Sequence, residues 1–190
     1  DALQRDESEK TIHYESGPGM LALREAISGH MASSYGLDYP PDDIAVTQGV
    51  QMGLTACFLA LCSEGDEVLF AAPGYGYGSQ ASLAGATPVE VPVRADTDFI
   101  MTAEAVEAKI TPRSKILCQC SPLNPSGAVT PPHVVEELAA LAIKHDLLVI
   151  SDEIYSDMMF DEHSHVSIAS FPGMRERTVV LRGCSKSYAM

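Results

Sequence analysis

The chain has 190 residues and carries 12 lysines and arginines against 26 aspartates and glutamates, a formal net charge of −14. That acidity argues against nucleic acid or an anionic membrane as the main partner, since both recruit a basic footprint. Hydrophobic residues make up 46%, an ordinary globular composition able to build one sizeable core, and no apolar run approaches the roughly 18 residues that span a bilayer.

Nothing at the start reads as a signal peptide. Cys57, Cys62, Cys118, Cys120 and Cys184 are an odd set in apolar segments without a C-x-x-C pair, as expected of reduced cysteines in a cytoplasmic protein. The chain begins at Asp1 rather than Met and stops at Met190 in mid-pattern, so it reads as a piece of a longer protein.

Asp1 to Lys10 is a polar lead-in. Leu21, Leu23, Ala26, Ile27 and Met31 fall at helical spacing, and Gly36 ends that helix. Ile44 to Thr47 reads as a short strand, and Gln48-Gly49 turns the chain into a helix over roughly Val50 to Cys62. A strand over Glu67 to Phe70 follows, then a glycine-rich turn, Pro73 to Gly78, and a short helix through Leu83. Pro88 to Val93 is the next strand. Thr102 is placed to cap a helix reaching Ile110. After a strand at Ser114 to Cys120 and a loop at Ser121 to Gly127, Thr130-Pro131 starts a helix to about Lys144, proline being suited to a first helical position. Leu147 to Ile150 is an apolar run without alternation, the mark of a strand buried on both faces, and it ends in Asp152. Thr178 to Leu181 is the last strand. Alternating strands and helices predict an α/β fold, three layers with a mostly parallel sheet.

A carboxylate at the end of a buried strand is costly unless a cation meets it, and open α/β sheets bind ligands at strand ends. Asp152 and Tyr155 follow one strand, Asn124 another. Lys186 lies just beyond the last; an amine in a partly dry site can act as nucleophile or imine partner. Gly49, Val50 and Gln51 open a helix, whose free N–H groups and dipole suit an anion. One sheet edge would thus gather an anion site, a carboxylate, an amide, a phenol and an amine.

These residues, in this order, resemble the class I/II aminotransferases, fold-type I pyridoxal-phosphate enzymes. Tyr14 to Arg24 is similar to the family's Y-x-x-x-x-G-x-x-x-L-R, with Gly19, Leu23 and Arg24 in register. Asn124-Pro125-Ser126-Gly127 resembles N-P-T/S-G, Asp152-Glu153-Ile154-Tyr155 resembles D-E-x-Y, and Ser185-Lys186 resembles the cofactor-lysine signature. The resemblance implies a large cofactor-binding domain over residues 37–190, cut after the cofactor lysine, behind an N-terminal segment and first helix over 1–36. The small C-terminal domain would be absent.

The resemblance also implies roles. Lys186 would hold pyridoxal 5′-phosphate covalently and move the substrate proton; Asp152 would keep the ring nitrogen protonated, the better electron sink. Asn124 and Tyr155 would hydrogen-bond the ring's phenolic oxygen. Tyr75, flanked by Gly74 and Gly76, would stack on the ring. The phosphate would rest on Gly49, Val50 and Gln51 with Ser185 nearby, and Tyr14 would reach the phosphate of the neighbouring subunit in a homodimer. The implied activity moves an amino group between an amino acid and a 2-oxo acid; a lyase or synthase on the same fold, or a sensor domain of a transcription regulator, are the alternatives. Val50 departs from the usual Ser or Thr, and Gly183 from a serine of some relatives; the arginine expected eight residues after the lysine lies beyond Met190. His163-x-His165, in an acidic loop, reads as a solvated turn rather than a metal pair, and no histidine stands ready to serve Ser121, Ser151 or Ser185 as a hydrolase base.

Overall fold

Val68-Leu69-Phe70, Ile116-Leu117-Cys118 and Val149-Ile150 are apolar at consecutive positions, so both faces of each strand need cover. The computed structural model of the chain, which describes residues 17–190, meets that need with one sheet. Strands β1 (Glu67–Ala72), β2 (Thr87–Pro92), β3 (Ser114–Cys120), β4 (Leu148–Asp152) and β5 (Thr178–Leu181) run all parallel in the order β2-β1-β3-β4-β5. The apolar runs of β1, β3 and β4 are buried throughout. Pro88 and Pro92 lie in β2, at the sheet edge, where a missing N–H donor is tolerated.

The chain forms two compact units, one ending at Thr47 and one from Gln48 to Met190. The first contains α1 (Leu21–Tyr35), which ends on Gly36 in the left-handed region. Buried Arg24 staples this unit: its Nε donates to Gly19 O (3.1 Å) and its Nη1 to Pro41 O (2.6 Å), with Asp42 Oδ1 at 3.3 Å. The strand expected at residues 44–47 is not formed. Extended chain becomes a strand only with a ladder partner, and here Val46 N simply bonds Pro18 O (2.9 Å).

The second unit holds the sheet together with α2 (Gly49–Leu61), α3 (Tyr77–Leu83), α4 (Ala103–Glu107), α5 (Pro132–Lys144) and the one-turn α6 (Cys184–Ser187). Thr102 caps α4, its side chain accepting from Ala105 N (3.2 Å), although that helix stops short of Ile110. At α5 the first helical residue is Pro132, one later than expected; Thr130 is buried instead, its N–H donating to Ser121 Oγ (3.0 Å).

Right-handed crossovers decide the layers. The step from β1 to β2 runs one way along the sheet; the steps β2 to β3, β3 to β4 and β4 to β5 run the other way. Their connections therefore lie on opposite faces, α3 on one and α4 and α5 on the other, in keeping with α3 packing on α2 and α4 on α5. The strand order reverses between β1 and β3, so the crevice at their carboxyl ends is the expected ligand position.

Candidate active site at the carboxyl edge of the sheet

At this edge Cys120, Asp152 and Leu181 stand in register on neighbouring strands. Asp152 is 4% exposed. Its Oδ2 accepts from the Tyr77 hydroxyl (2.9 Å) and its Oδ1 from Ile154 N (3.2 Å). Burial pushes its pKa up; the Tyr77 and Ile154 donors oppose this without cancelling it, and the neighbouring Glu153 charge adds to the rise. Among the described residues no Lys, Arg or His pairs with Asp152. A buried carboxylate with hydrogen-bond donors but no positive charge suits a cationic ligand group.

Tyr77, 1% exposed, is the residue the sequence reading missed. It opens α3 and reaches under the edge to Asp152, its own ionisation driven far upward by burial first and then by the Cys120 and Asp152 charges. It therefore stays a phenol and a donor. Burial and Asp152 also push the Cys120 thiol up to about 12, so Cys120 is a neutral neighbour rather than a nucleophile.

The other expected residues fall into pairs. Asn124 Nδ2 donates to Tyr155 Oη (3.3 Å), joining the loops after β3 and β4. Gln51 Nε2 donates to the Tyr75 hydroxyl, and Gln80 Nε2 to Gln51 Oε1 (2.5 Å), so the start of α2 is tied to the turn after β1. Tyr75 meets Tyr77 edge-on, with ring centroids 6.2 Å apart, and keeps much of its own ring exposed. Gly49 has φ +77, a left-handed backbone that suits glycine, where the chain swings into α2. A Cβ on Gly183 would lie 3.4 Å from Val50 Cγ2 and 2.9 Å from Ile154 Cδ1. Val50 and Gly183, the two departures from the family pattern, thus lie against each other: a methyl fills the space beside a residue without a side chain. Ser185 and Lys186 sit on exposed α6. Tyr14 lies outside the described residues.

On the opposite face of the sheet a second buried carboxylate, Glu153, gathers Ser151, Ser167, His165 and Arg182. His165 departs from the solvated turn expected of it: its side chain is only 5% exposed, with Nε2 3.1 Å from Glu153 Oε2. No spacing in the sequence signals this set, because its members come from three separate segments.

A parallel α/β domain that brings a buried acid, an amide–phenol pair and a helix N-terminus to its switch point, with a lysine at the end of the adjoining strand, is a cofactor-domain architecture. The chain belongs to the class I and II aminotransferases: that family matches residues 1–190. It is 42% identical over 179 residues to a bifunctional aspartate aminotransferase and glutamate/aspartate-prephenate aminotransferase of Petunia hybrida, covering 93% of this chain and 37% of that protein. It is 43% identical to an aspartate aminotransferase of Pinus pinaster over 93% of this chain and 37% of the relative. In structure it is similar to the Thermus thermophilus aspartate aminotransferase with maleate (TM-score 0.94, 35% identity, all of this chain and 49% of the other). It is also similar to the aromatic aminotransferase of Pyrococcus horikoshii (TM-score 0.95, 35% identity, 98% and 51%). The chain thus spans about half the length of these solved structures, and less of the two plant enzymes. The family generally uses pyridoxal 5′-phosphate. Among the described residues no helix is long and apolar enough to cross a membrane.

Proposed function

We propose that this chain forms the cofactor-binding part of a pyridoxal-phosphate aminotransferase that moves an amino group between an amino acid and a 2-oxo acid. The observation that carries the reading is Asp152: a buried carboxylate at the switch-point edge, held by Tyr77 and Ile154 but not paired with a cation among the described residues. A protonated pyridine nitrogen is the counter-charge this environment favours. When bound, the cofactor supplies an electron sink for the carbanion left at the substrate α-carbon.

The protein's own residues would divide the remaining work. Lys186 would hold the cofactor through its amine and would carry a proton to and from the substrate α-carbon, general acid–base work by a positioned group. Asn124 and Tyr155, already paired with each other, would donate to the ring's phenolic oxygen. Gly49, Val50 and Gln51 would present the N-terminus of α2 to the phosphate, and Ser185 would add its hydroxyl. Tyr75, anchored through its hydroxyl by Gln51, offers its ring for stacking. The enzyme would act as a homodimer, with Tyr14 completing the neighbour's phosphate site. Met52, Ala56 and Leu59, an exposed apolar stripe at helical spacing on α2, support an association of this kind. Five free cysteines suit a cytoplasmic setting.

The test is covalent. Incubation with pyridoxal 5′-phosphate should give absorbance that survives desalting, and borohydride followed by peptide mapping should place the pyridoxyl group on Lys186. Labelling confined to another lysine would refute the assignment.

A further inference from the structure

Alternation along a strand sends Asp152 and Glu153 to opposite faces of the sheet. Asp152 meets α3 through Tyr77 on one side, while Glu153 meets the β4–β5 connection on the other. We propose that Glu153 is a positioning residue, the fixed end of a clamp that sets where Lys186 stands; the proposal rests on the role given to Lys186 above.

The Lys186 turn has little of its own to hold it. α6 is a single turn of four residues, too short to be stable alone, and Cys184, Ser185 and Lys186 are all exposed. The β4–β5 ladder ends just before it, with Glu153 N donating to Leu181 O (2.9 Å). Beyond that point two side-chain bonds bracket Lys186. Arg182 Nε reaches Glu153 Oε2 (3.1 Å) on one side, and Ser187 Oγ donates to Asp157 Oδ2 (2.6 Å) on the other. Both lead back to the segment that follows β4, which also carries Tyr155.

Glu153 is built as an anchor. It is 1% exposed. Oε1 accepts from Ser151 Oγ (3.0 Å) and Ser167 Oγ (2.5 Å), while Oε2 faces His165 Nε2 and Arg182 Nε, each at 3.1 Å. Three donors therefore fix the carboxylate, Ser151 and Ser167 on Oε1 and Arg182 on Oε2, with the His165 ring packed beside Oε2. Burial pushes its pKa up, but His165, Ser167 and Arg182 together hold it below the ordinary glutamate value, so it remains an anion and does not serve as a proton donor. Apolar packing could stabilise the fold as well as a buried ion pair does. What charge-assisted bonds add is direction: they fix the exit angle of the chain at Arg182, four residues before the lysine.

Glu67 provides a matched control. It too is a buried carboxylate, held by Thr111, Arg113 and Ser114, but at the opposite end of the sheet. The experiment compares Glu153→Gln, Arg182→Met and Glu67→Gln in the protein at its full natural length. Amide hydrogen exchange over residues 183–188 is read without cofactor, and the rate of borohydride-trappable capture of pyridoxal 5′-phosphate by Lys186 is read separately. Loosening the clamp should speed exchange over 183–188 by about tenfold in both clamp variants and slow capture, whereas Glu67→Gln should lower Tm and leave both unchanged. If Glu153→Gln does not fold, Arg182→Met carries the test alone, the Arg182 side chain being at the rim of the cluster. Exchange over 183–188 no faster than in Glu67→Gln overturns the clamp. A wild-type protein that never captures the cofactor on Lys186 overturns the functional reading instead, and the exchange measurement still decides whether the clamp exists.

Discussion

Asp152 is where stability and function pull apart. Its folded pKa is raised, so its contribution is favourable below the unfolded pKa and is lost as pH rises through the folded value. At neutral pH, above the ordinary carboxylate range, this raised pKa makes the buried side chain a net burden on the cofactor-free fold. Asp152→Asn is therefore expected to raise the Tm of the cofactor-free protein at pH 7 to 8, with the gain fading in acid; thermal melts across pH check this, and a lower Tm at neutral pH would contradict it. In the proposed enzyme the same substitution would remove the anion assigned to the ring nitrogen, and transamination should fall roughly 10²–10³-fold. Tyr77→Phe removes a donor to a buried charge, a loss of about 1.5–3 kcal/mol, read as a lower Tm together with weaker cofactor binding. Tyr77 was not legible in the sequence. Tyr75 and Tyr77 sit in one stretch, Gly74-Tyr75-Gly76-Tyr77-Gly78, and which of them turns under the sheet depends on where α3 begins.

The elements were legible wherever local chemistry agrees with packing. Unbroken apolar runs marked β1, β3 and β4, and Thr130-Pro131 marked the start of α5 to within a residue. Residues 44–47 look like a strand but form none, because strand formation needs a partner that local pattern does not report. The Glu153 set escaped for a related reason: Glu153, His165 and Arg182 are far apart in sequence and meet only through the β4–β5 connection. The turn after β1 shows how an element can rest on one atom. A Cβ on Gly74 would lie 2.1 Å from Ala71 O, whereas one on Gly76 would find only Ser79 Oγ at 3.7 Å. Of the two glycines beside Tyr75, only Gly74 is required. Gly74→Ala forces the backbone to move and should cost about 1–3 kcal/mol or more. Gly76→Ala, at φ −57, should be nearly neutral; paired melts that show equal losses would contradict this account of the turn.

At the scale of the whole molecule the open matter is how many subunits build one site. Tyr14 and Lys186 lie at opposite ends of the chain, and the homodimer reading assigns them to one site from two subunits. In a closed twofold dimer each subunit lends the same group to its partner. An inactive Lys186→Ala subunit mixed with an inactive Tyr14→Ala subunit then forms hybrids in which one site carries both lesions and the other carries neither. With free exchange half the dimers are hybrids and half their sites are intact, so recovery should approach about a quarter of wild-type activity. The mixture is assayed before and after exchange, with exchange followed by mass or by differently tagged subunits. If Tyr14 serves its own subunit, every site in a hybrid contains one lesion and nothing is recovered. Absence of recovery in dimers shown to have exchanged would therefore remove Tyr14 from the partner's site. A Met52→Glu, Leu59→Glu pair offers an independent check, since two charges on the apolar stripe of α2 should weaken association and lower activity in a way that rising protein concentration restores. A fully active protein that sediments as a monomer would end the shared-site reading.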